Sequence, residues 1–566
     1  MSLNRYHRKS ALLLSLTIPL LALSGCGGSS SGSSVVTNVS QPDTGSNTSV
    51  TDTTWVKDSF KPVSTYVARC AKPRTGNNPI TGEAYPDKAG SELLEKFWQR
   101  SFNNDTYLWY KEVLDQDPNN FNLVDYFDQL KTKAVTDSGA EKDQFHWISP
   151  TSDVEERTQL GVSYGYGISY HRGSNTPPRS WQVTNVTPGT KAADTISRGS
   201  KLISIDGVDF VNSSSDSDLA TINGALFSTN EGEEHTFKFI NTDNAEYEVT
   251  LATASIQGVP LQLAKTLDTP QGKVGYLLLT SFNNAAVEKD LVEEFTKFEQ
   301  ENITDLVVDL RYNGGGFLAL SSQLAYMVAG KEATRDKTYD RLIYNDKLAS
   351  QNQNIGFFDT TIDLRRLIGG ETIIPENQPL PALNLSRVYV LTTGSSCSAS
   401  ESFMNSLIGI DVEVIQIGET TCGKPYGFVS EDNCGSTYFT IQFRGENHAG
   451  FGDYADGFTP ATLPNALDQV QGCPIQEDYL HELGDPDELL LSSALYYQAN
   501  NTCPEIKASV GLQTKSRSGV GALNKNVVQK YDGPKLNVRT PRQDAIIDDI
   551  YYDQFNNLKT GTNNGK

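Results

Sequence analysis

The chain has 566 residues, with 47 Lys and Arg against 69 Asp and Glu, for a formal net charge of −22. That length leaves room for more than one domain and a sizeable core. So acidic a body argues against nucleic acid as a partner, which needs basic patches to neutralise phosphates. The charge serves solubility and says nothing about fold.

Residues 1–25 read as a targeting segment. Arg5, Arg8 and Lys9 precede an apolar run over 11–23, and Leu23-Ser24-Gly25 lead into Cys26. The run is short for a bilayer span, so a signal peptide fits better than a transmembrane helix. The LSGC junction resembles a bacterial lipobox. This implies lipidation of Cys26 and an exported, membrane-anchored lipoprotein facing the periplasm or cell exterior. Residues 26–54 are rich in Gly, Ser, Thr and Asn, cannot build a core, and are expected to form a flexible tether.

Residues 85–150 are expected to be an N-terminal helical domain. Leu93, Leu94, Phe97 and Trp98 share one helical face, Tyr107-Leu108-Trp109-Tyr110 adds an aromatic cluster, and a second helix is predicted over 123–134. Its expected role is packing onto the next domain. Residues 158–255 read as short strands separated by turns, with a glycine-rich alternating stretch over 161–168. The stretch 186–210 predicts a turn, a short helix and a strand ending at Asp206-Gly207.

Residues 256–500 carry the chemistry. Over 273–310 the pattern is strand, helix, strand, the helix resting on Val287, Leu291, Phe295 and Phe298 at one- and two-turn spacing. Arg311-Tyr312-Asn313-Gly314-Gly315-Gly316 follows the second strand, and glycines there free backbone N–H groups to approach a ligand. A second such unit has a strand over 387–393, a helix from about Ala399, a strand over 412–417 and a loop ending at Lys424. Crossovers of this length join parallel strands, so Ser398 and Lys424 arrive at one edge of one sheet, where open α/β sheets place their chemistry. A hydroxyl, an amine and a loop of backbone donors are the parts acyl transfer needs. Taken alone, Ser398 reads as a helix cap and Lys424 as a solvated surface residue; the convergence of three loops carries the functional reading. Asp485-Pro486-Asp487-Glu488 starts a further core helix. Residues 505–566, with ten basic and six acidic residues, form a C-terminal tail whose order the composition leaves open.

Beyond Cys26 there are six cysteines: Cys70, Cys397, Cys422, Cys434, Cys473 and Cys503. An even number in an exported chain predicts disulfides, and the lack of a CxxC pair predicts no metal site. Cys422 and Cys434 flank a hairpin expected around 425–433 and are the expected pair. Cys397 is not taken as a nucleophile, because no histidine partner is in view.

The motifs DLRYNGGG (309–316), SASE (398–401) and GETTCGK (418–424), in this order, resemble those of the tail-specific or C-terminal processing serine peptidases. The resemblance implies Ser398 as nucleophile, Lys424 as base, the Gly315 and Ala399 amides as oxyanion hole, and no cofactor. It implies an α/β protease core with crossover helices, a PDZ-like β-domain and an N-terminal helical segment. In the PDZ-like part, the loop Tyr164, Gly165, Tyr166, Gly167 and Ile168 is expected to hold a peptide C-terminal carboxylate, with the peptide added as a strand. Many relatives place a lysine-orienting glutamine where this chain has Phe428, which leaves the third catalytic group open. Lys424 must be neutral to act as a base, so neighbouring Glu419 is expected to be structural. The expected function is a serine endopeptidase at the cell envelope, acting on unstructured polypeptides or ones recognised by a free C-terminus. The alternatives are a non-catalytic peptide or small-ligand binder on this fold, and a Ser–His hydrolase using His448.

Overall fold

The spacing of Val287, Leu291, Phe295 and Phe298 does build one buried helix face, and the strands on either side of that helix pair in parallel as the crossover rule requires. The structure is a computed structural model. It describes residues 53–505 except 79–81, 161, 229 and 368–369, so the signal segment, Cys26, the tether through residue 52 and the tail after 505 lie outside the described residues.

The C-terminal region contains, in chain order, β1 (Leu261–Thr269), β2 (Gly272–Leu279), α1 (Val287–Glu301), β3 (Asp305–Asp309), α2 (Leu318–Thr334), β4 (Arg387–Thr392), α3 (Ala399–Ile408), β5 (Glu413–Gly418), β6 (Thr459–Ala461), β7 (Gln469–Pro474) and α4 (Leu489–Asn500). Seven strands form one sheet in the order β1-β2-β3-β4-β5-β7-β6. The β1–β2 pair is antiparallel and the rest are parallel. Alternation along β4 explains the layering: Val388 and Val390 face the cluster of α1, α2 and α3, while Tyr389 and Leu391 face α4. Both faces are covered, so the strands read as nearly continuous apolar runs. In register, Asp309 pairs with Leu391 and Leu391 with Ile417, so the loops after β3, β4 and β5 leave from one edge.

Ahead of this core, the helix Glu92–Thr106 is capped by Ser91, whose side chain accepts the Leu94 N–H, and it buries Leu94, Phe97 and Trp98. The second helix, Leu123–Gln129, stops short of the expected 134. Leu130 leaves helical backbone, and the Thr132 N–H donates to the Tyr107 hydroxyl instead. Between about 162 and 257, the strands Ile168–Ser174, Ser180–Val186, Lys201–Ile205, Glu234–Ile240 and Glu246–Ala252 share a sheet with its own core around Trp181, Phe237 and Phe239, beside the helix Asp216–Leu226. Arg198 fastens this unit to the C-terminal region: its guanidinium donates to the Tyr312 hydroxyl (2.7 Å), to Glu477 (2.5 Å) and to the carbonyls of Asp478 and His481.

The cysteine pairing expected from the hairpin is overturned. Cys422 is bonded to Cys397, Cys434 to Cys70, and Cys473 to Cys503. The hairpin lies further along than expected. Tyr426–Gly427 pairs with Phe443–Glu446, and the turn falls at Cys434-Gly435 between Glu431–Asn433 and Ser436–Phe439. Cys434 therefore faces the N-terminal segment rather than Cys422.

Candidate active site

The turn between β4 and α3 is set by hydrogen bonds to the loop after β3. The Cys397 N–H and the Ser400 hydroxyl both donate to the Asn313 carbonyl at 3.0 Å, and the Ser396 hydroxyl donates to the Leu310 carbonyl at 2.7 Å. These bonds hold Ser398 at φ 53°, ψ −113°, a region that a non-glycine residue occupies only under strain. Such a conformation at a strand-to-helix turn lifts a side chain clear of its neighbours, and clusters at functional sites. Gly315 packs directly against it at φ 115°, and a Cβ there would stand 2.7 Å from Ser398 Cβ and 3.1 Å from the Ala399 nitrogen. Only glycine fits, which is why the motif needs its glycine run.

The Ala399 N–H opens the first turn of α3, where backbone donors lack intrahelical partners and the helix dipole is positive. The other expected donor is already committed: the Gly315 N–H donates to Asn313 Oδ1 at 2.9 Å. Asn313, fully buried, thus braces the glycine loop with its side chain and the turn that carries Ser398 with its carbonyl.

The centre of the site is Glu401, one turn into α3 and completely buried. Its Oε2 accepts the Ser398 N–H (3.0 Å) and the Lys424 N–H (2.8 Å), and its Oε1 accepts the Gly423 N–H (2.8 Å) and the Thr421 hydroxyl (2.5 Å). One carboxylate therefore binds the backbone of SASE to the backbone of GETTCGK. Burial pushes the Glu401 carboxyl above its ordinary value, and the four donors pull against that shift. The Cys397–Cys422 disulfide makes the same connection covalently, joining the residue before Ser398 to a residue just ahead of Lys424. Cys397, Glu401 and Cys422 lie close enough to suggest a metal site, but the two sulfurs are bonded to each other and offer no thiolate.

Lys424 is 1% exposed. Its Nζ lies 4.6 Å from the centroid of the Phe428 ring and 5.2 Å from that of Phe145. Arg311 is buried among Asp309 (2.6 Å), Glu488 (2.7 Å) and Glu477 (3.2 Å), so the charged half of DLRYNGGG is a foundation for the loop. Burial, and then Glu477, push the Glu419 carboxyl up, with His171 opposing. His448 presents its ring nitrogens to the Thr338 N–H (3.2 Å) and the Lys337 amine (3.3 Å).

The Tyr164–Ile168 stretch lies where Val162–Gly165 leaves its pairing with Ala254–Gln257 and enters the larger sheet. Gly165 and Gly167 have φ of 148° and 76°, and the Tyr166 hydroxyl donates to the Ala225 carbonyl at 2.9 Å. A cleft of about 370 Å³ runs beside it, lined by Gly165, Tyr166, Pro188, Lys191 and Leu251.

Sequence reasoning missed Glu401, Asn313 and Phe145. The S-x-x-E spacing of a capping box was a readable signal for Glu401. Phe145 lies far from either motif and left none.

The description "Peptidase family S41" matches residues 273–431. Among solved structures, the chain is similar to a candidate S41 protease from Bacteroides fragilis NCTC 9343, at 23% identity and TM-score 0.53, covering 74% of this chain and 99% of that one. It is also similar to a photosystem II D1 C-terminal processing protease, at 18% identity and TM-score 0.39, covering 68% of this chain and 97% of that one. No curated protein matches the chain. The chain carries a peptidase family S41 domain. It is a serine peptidase, and its substrates are polypeptides.

Proposed function

We propose that the chain is an endopeptidase using a Ser398–Lys424 dyad, exported as a lipoprotein through Cys26 and acting at the cell envelope on unstructured polypeptides. The observation that carries this reading is Glu401, whose carboxylate takes the Ser398 and Lys424 amides on one oxygen. Neutral Lys424 Nζ accepts the Ser398 hydroxyl proton as Oγ bonds to the scissile carbonyl carbon, and the carbonyl π pair moves onto oxygen. The oxyanion is met by the Ala399 N–H. When the C–N bond breaks, the proton passes from Nζ to the leaving amine; Lys424 Nζ then takes a proton from water as its oxygen bonds to the acyl carbon, and returns it to Ser398 Oγ as the acyl–Oγ bond breaks. The glycine-rich Tyr164–Ile168 loop supports recognition of a free C-terminus by the 162–257 unit, Arg198 linking that unit to the loop after β3.

The test is degradation of an unfolded protein by the purified chain, with fluorophosphonate labelling mapped to Ser398. Ser398→Ala should abolish both. Full activity in that variant would refute the reading. Amidated and free-acid forms of one peptide, compared for affinity, test the C-terminal recognition, and the mass of the mature N-terminal peptide tests lipidation.

A further inference from the structure

The amine of Lys424 is approached from two directions by aromatic rings that come from distant parts of the chain. Phe428 follows the base within its own loop, four residues on, with its ring centroid 4.6 Å from Nζ. Phe145 comes from the N-terminal region, with its ring centroid 5.2 Å from the same atom. Both are 1% exposed, within a cluster that also holds Tyr107, Phe439 and Ile441.

Neither ring is loosely held. The Phe145 N–H donates to Asp143 Oδ1 at 2.9 Å, and Asp143 Oδ2 accepts the Tyr107 hydroxyl at 2.6 Å, so one buried carboxylate fixes the backbone that carries the ring. Tyr107 in turn follows the capped helix Glu92–Thr106, and the next residue's N–H donates to the Ile441 carbonyl at 2.8 Å. Phe428 packs edge-on against Phe439, with ring centroids 5.3 Å apart.

We propose that Phe145 and Phe428 are positioning residues for the base: their π faces hold the Lys424 side chain and stabilise the ammonium formed when it takes the Ser398 proton. The inference rests on the Ser398–Lys424 reading and deepens it. The argument is one of difference between states. Before reaction the amine must be neutral, and a ring face makes little demand on a neutral amine. As the Ser398 O–H bond breaks and the new N–H bond forms, a full positive charge develops beside two negative ring faces. The inference also assigns the N-terminal region a part in chemistry, because Phe145 is supplied from outside the segment that matches the peptidase family.

The experiment uses the full mature chain and an unfolded protein substrate, with kcat and KM measured separately. Phe428→Leu and Phe145→Leu should each lower kcat about tenfold, the scale of a desolvated cation–π contact, with KM unchanged. Phe428→Tyr and Phe145→Tyr, which keep the ring, should restore most of the loss. Because a leucine could also disturb packing, Phe428 is replaced in parallel by phenylalanines carrying one, two and three ring fluorines. These hold the ring's shape while weakening its negative face, and log kcat should fall steadily along the series. A flat fluorine series, or leucine variants with the kcat of the parent, would overturn the proposal. Ser398→Ala and Lys424→Ala are assayed alongside. If they abolish activity while the fluorine series is flat, the ring proposal alone fails; if they retain activity, the dyad fails and this inference with it.

Discussion

Two fully buried ionisable groups stand within one loop and helix turn of each other, and the contacts described at each differ in kind. Glu401 is met by four hydrogen-bond donors, two on each oxygen, so that its geometry is fixed from every side. The Lys424 amine lies against the faces of Phe145 and Phe428. A directed hydrogen bond fixes position and also favours one protonation state. An aromatic face attracts a cation through its quadrupole and does so without a directed hydrogen bond. On the proposed reading, the carboxylate is the clamp and the amine the group that exchanges a proton.

Exchanging the amine for a group that cannot lose its proton breaks the comparison most severely. Lys424→Arg keeps a long side chain ending in nitrogen, but a guanidinium does not deprotonate in a protein. We expect kcat/KM to fall about 100- to 10,000-fold, the scale of a missing general base, and Lys424→Ala to fall as far. Near-parental activity in Lys424→Arg, measured on an unfolded substrate, would end the lysine's role as base.

The clamp is tested next. Glu401→Gln keeps the shape but turns one acceptor oxygen into an NH₂ that faces two donors. Losing buried, charge-assisted hydrogen bonds should cost about 2–3 kcal/mol in stability, seen as a lower denaturation midpoint. The kcat should drop by tens of fold, because Ser398 and Lys424 lose their shared anchor. Thr421→Val removes one donor from Glu401 and the acceptor of the Phe458 N–H (2.8 Å), and should cost about 2 kcal/mol with kcat nearly intact. An equal loss of kcat in the two variants would show that Glu401 only fills space.

Much of this arrangement was legible before any coordinates. The apolar runs of β2 to β5, with their intervening helices, specify parallel strands, and parallel strands with right-handed crossovers oblige the loops carrying Gly315, Ser398 and Lys424 to share an edge. What could not be read were contacts between residues far apart in sequence. Phe145 reaches Lys424 through a chain of tertiary bonds, with no local pattern to announce it. The cysteine pairing failed for a related reason: nearness in sequence favoured Cys422 with Cys434, whereas a shift of the hairpin sent Cys434 to Cys70 and left Cys422 beside the nucleophile. The partner of the Gly315 N–H was a more local matter, since an Asn two residues upstream can fold back on the glycine N–H in an Asx turn.

The two covalent links in the core offer a gentler test of the same contrast. Cys397–Cys422 and Cys473–Cys503 close segments of similar length, with separations of 25 and 30 residues. In the chain-entropy account each should contribute about 3 kcal/mol, so paired alanine variants should lose similar stability. Only the first joins the nucleophile turn to the base loop. Cys397→Ala/Cys422→Ala should therefore lower kcat severalfold, and Cys473→Ala/Cys503→Ala should leave it unchanged. A kcat loss of the same size in both would make the first bridge a general brace.

The smallest effect concerns how the N-terminal region holds Phe145 in place, and it is read through pH. His146, next in the chain, is buried against Phe127, with ring centroids 4.0 Å apart, and its Nε2 lies 2.8 Å from the Phe127 carbonyl oxygen. Burial lowers its pKa from 6.5 to about 4, with Asp143 opposing. As pH falls below about 6.5 the unfolded chain takes up a proton that the folded chain refuses until about pH 4, so stability is complete above that window and is lost on descending through it. At one pKa unit to about 1.4 kcal/mol, the full loss approaches about 3 kcal/mol. His146→Gln keeps a hydrogen-bonding side chain without the titration, and should flatten the stability profile between pH 6.5 and 4 while lowering the plateau slightly. Because Asp143 holds the Phe145 N–H and stands 3.9 Å from His146 Nδ1, protonation there should also loosen the ring that faces the base. The parent's kcat at pH 4, where about half of the folded chains carry the proton, should then fall further than that of His146→Gln, by about twofold, when each is normalised to its own value at pH 8. Parallel profiles for the two proteins would mean that His146 supports the fold without reaching the site.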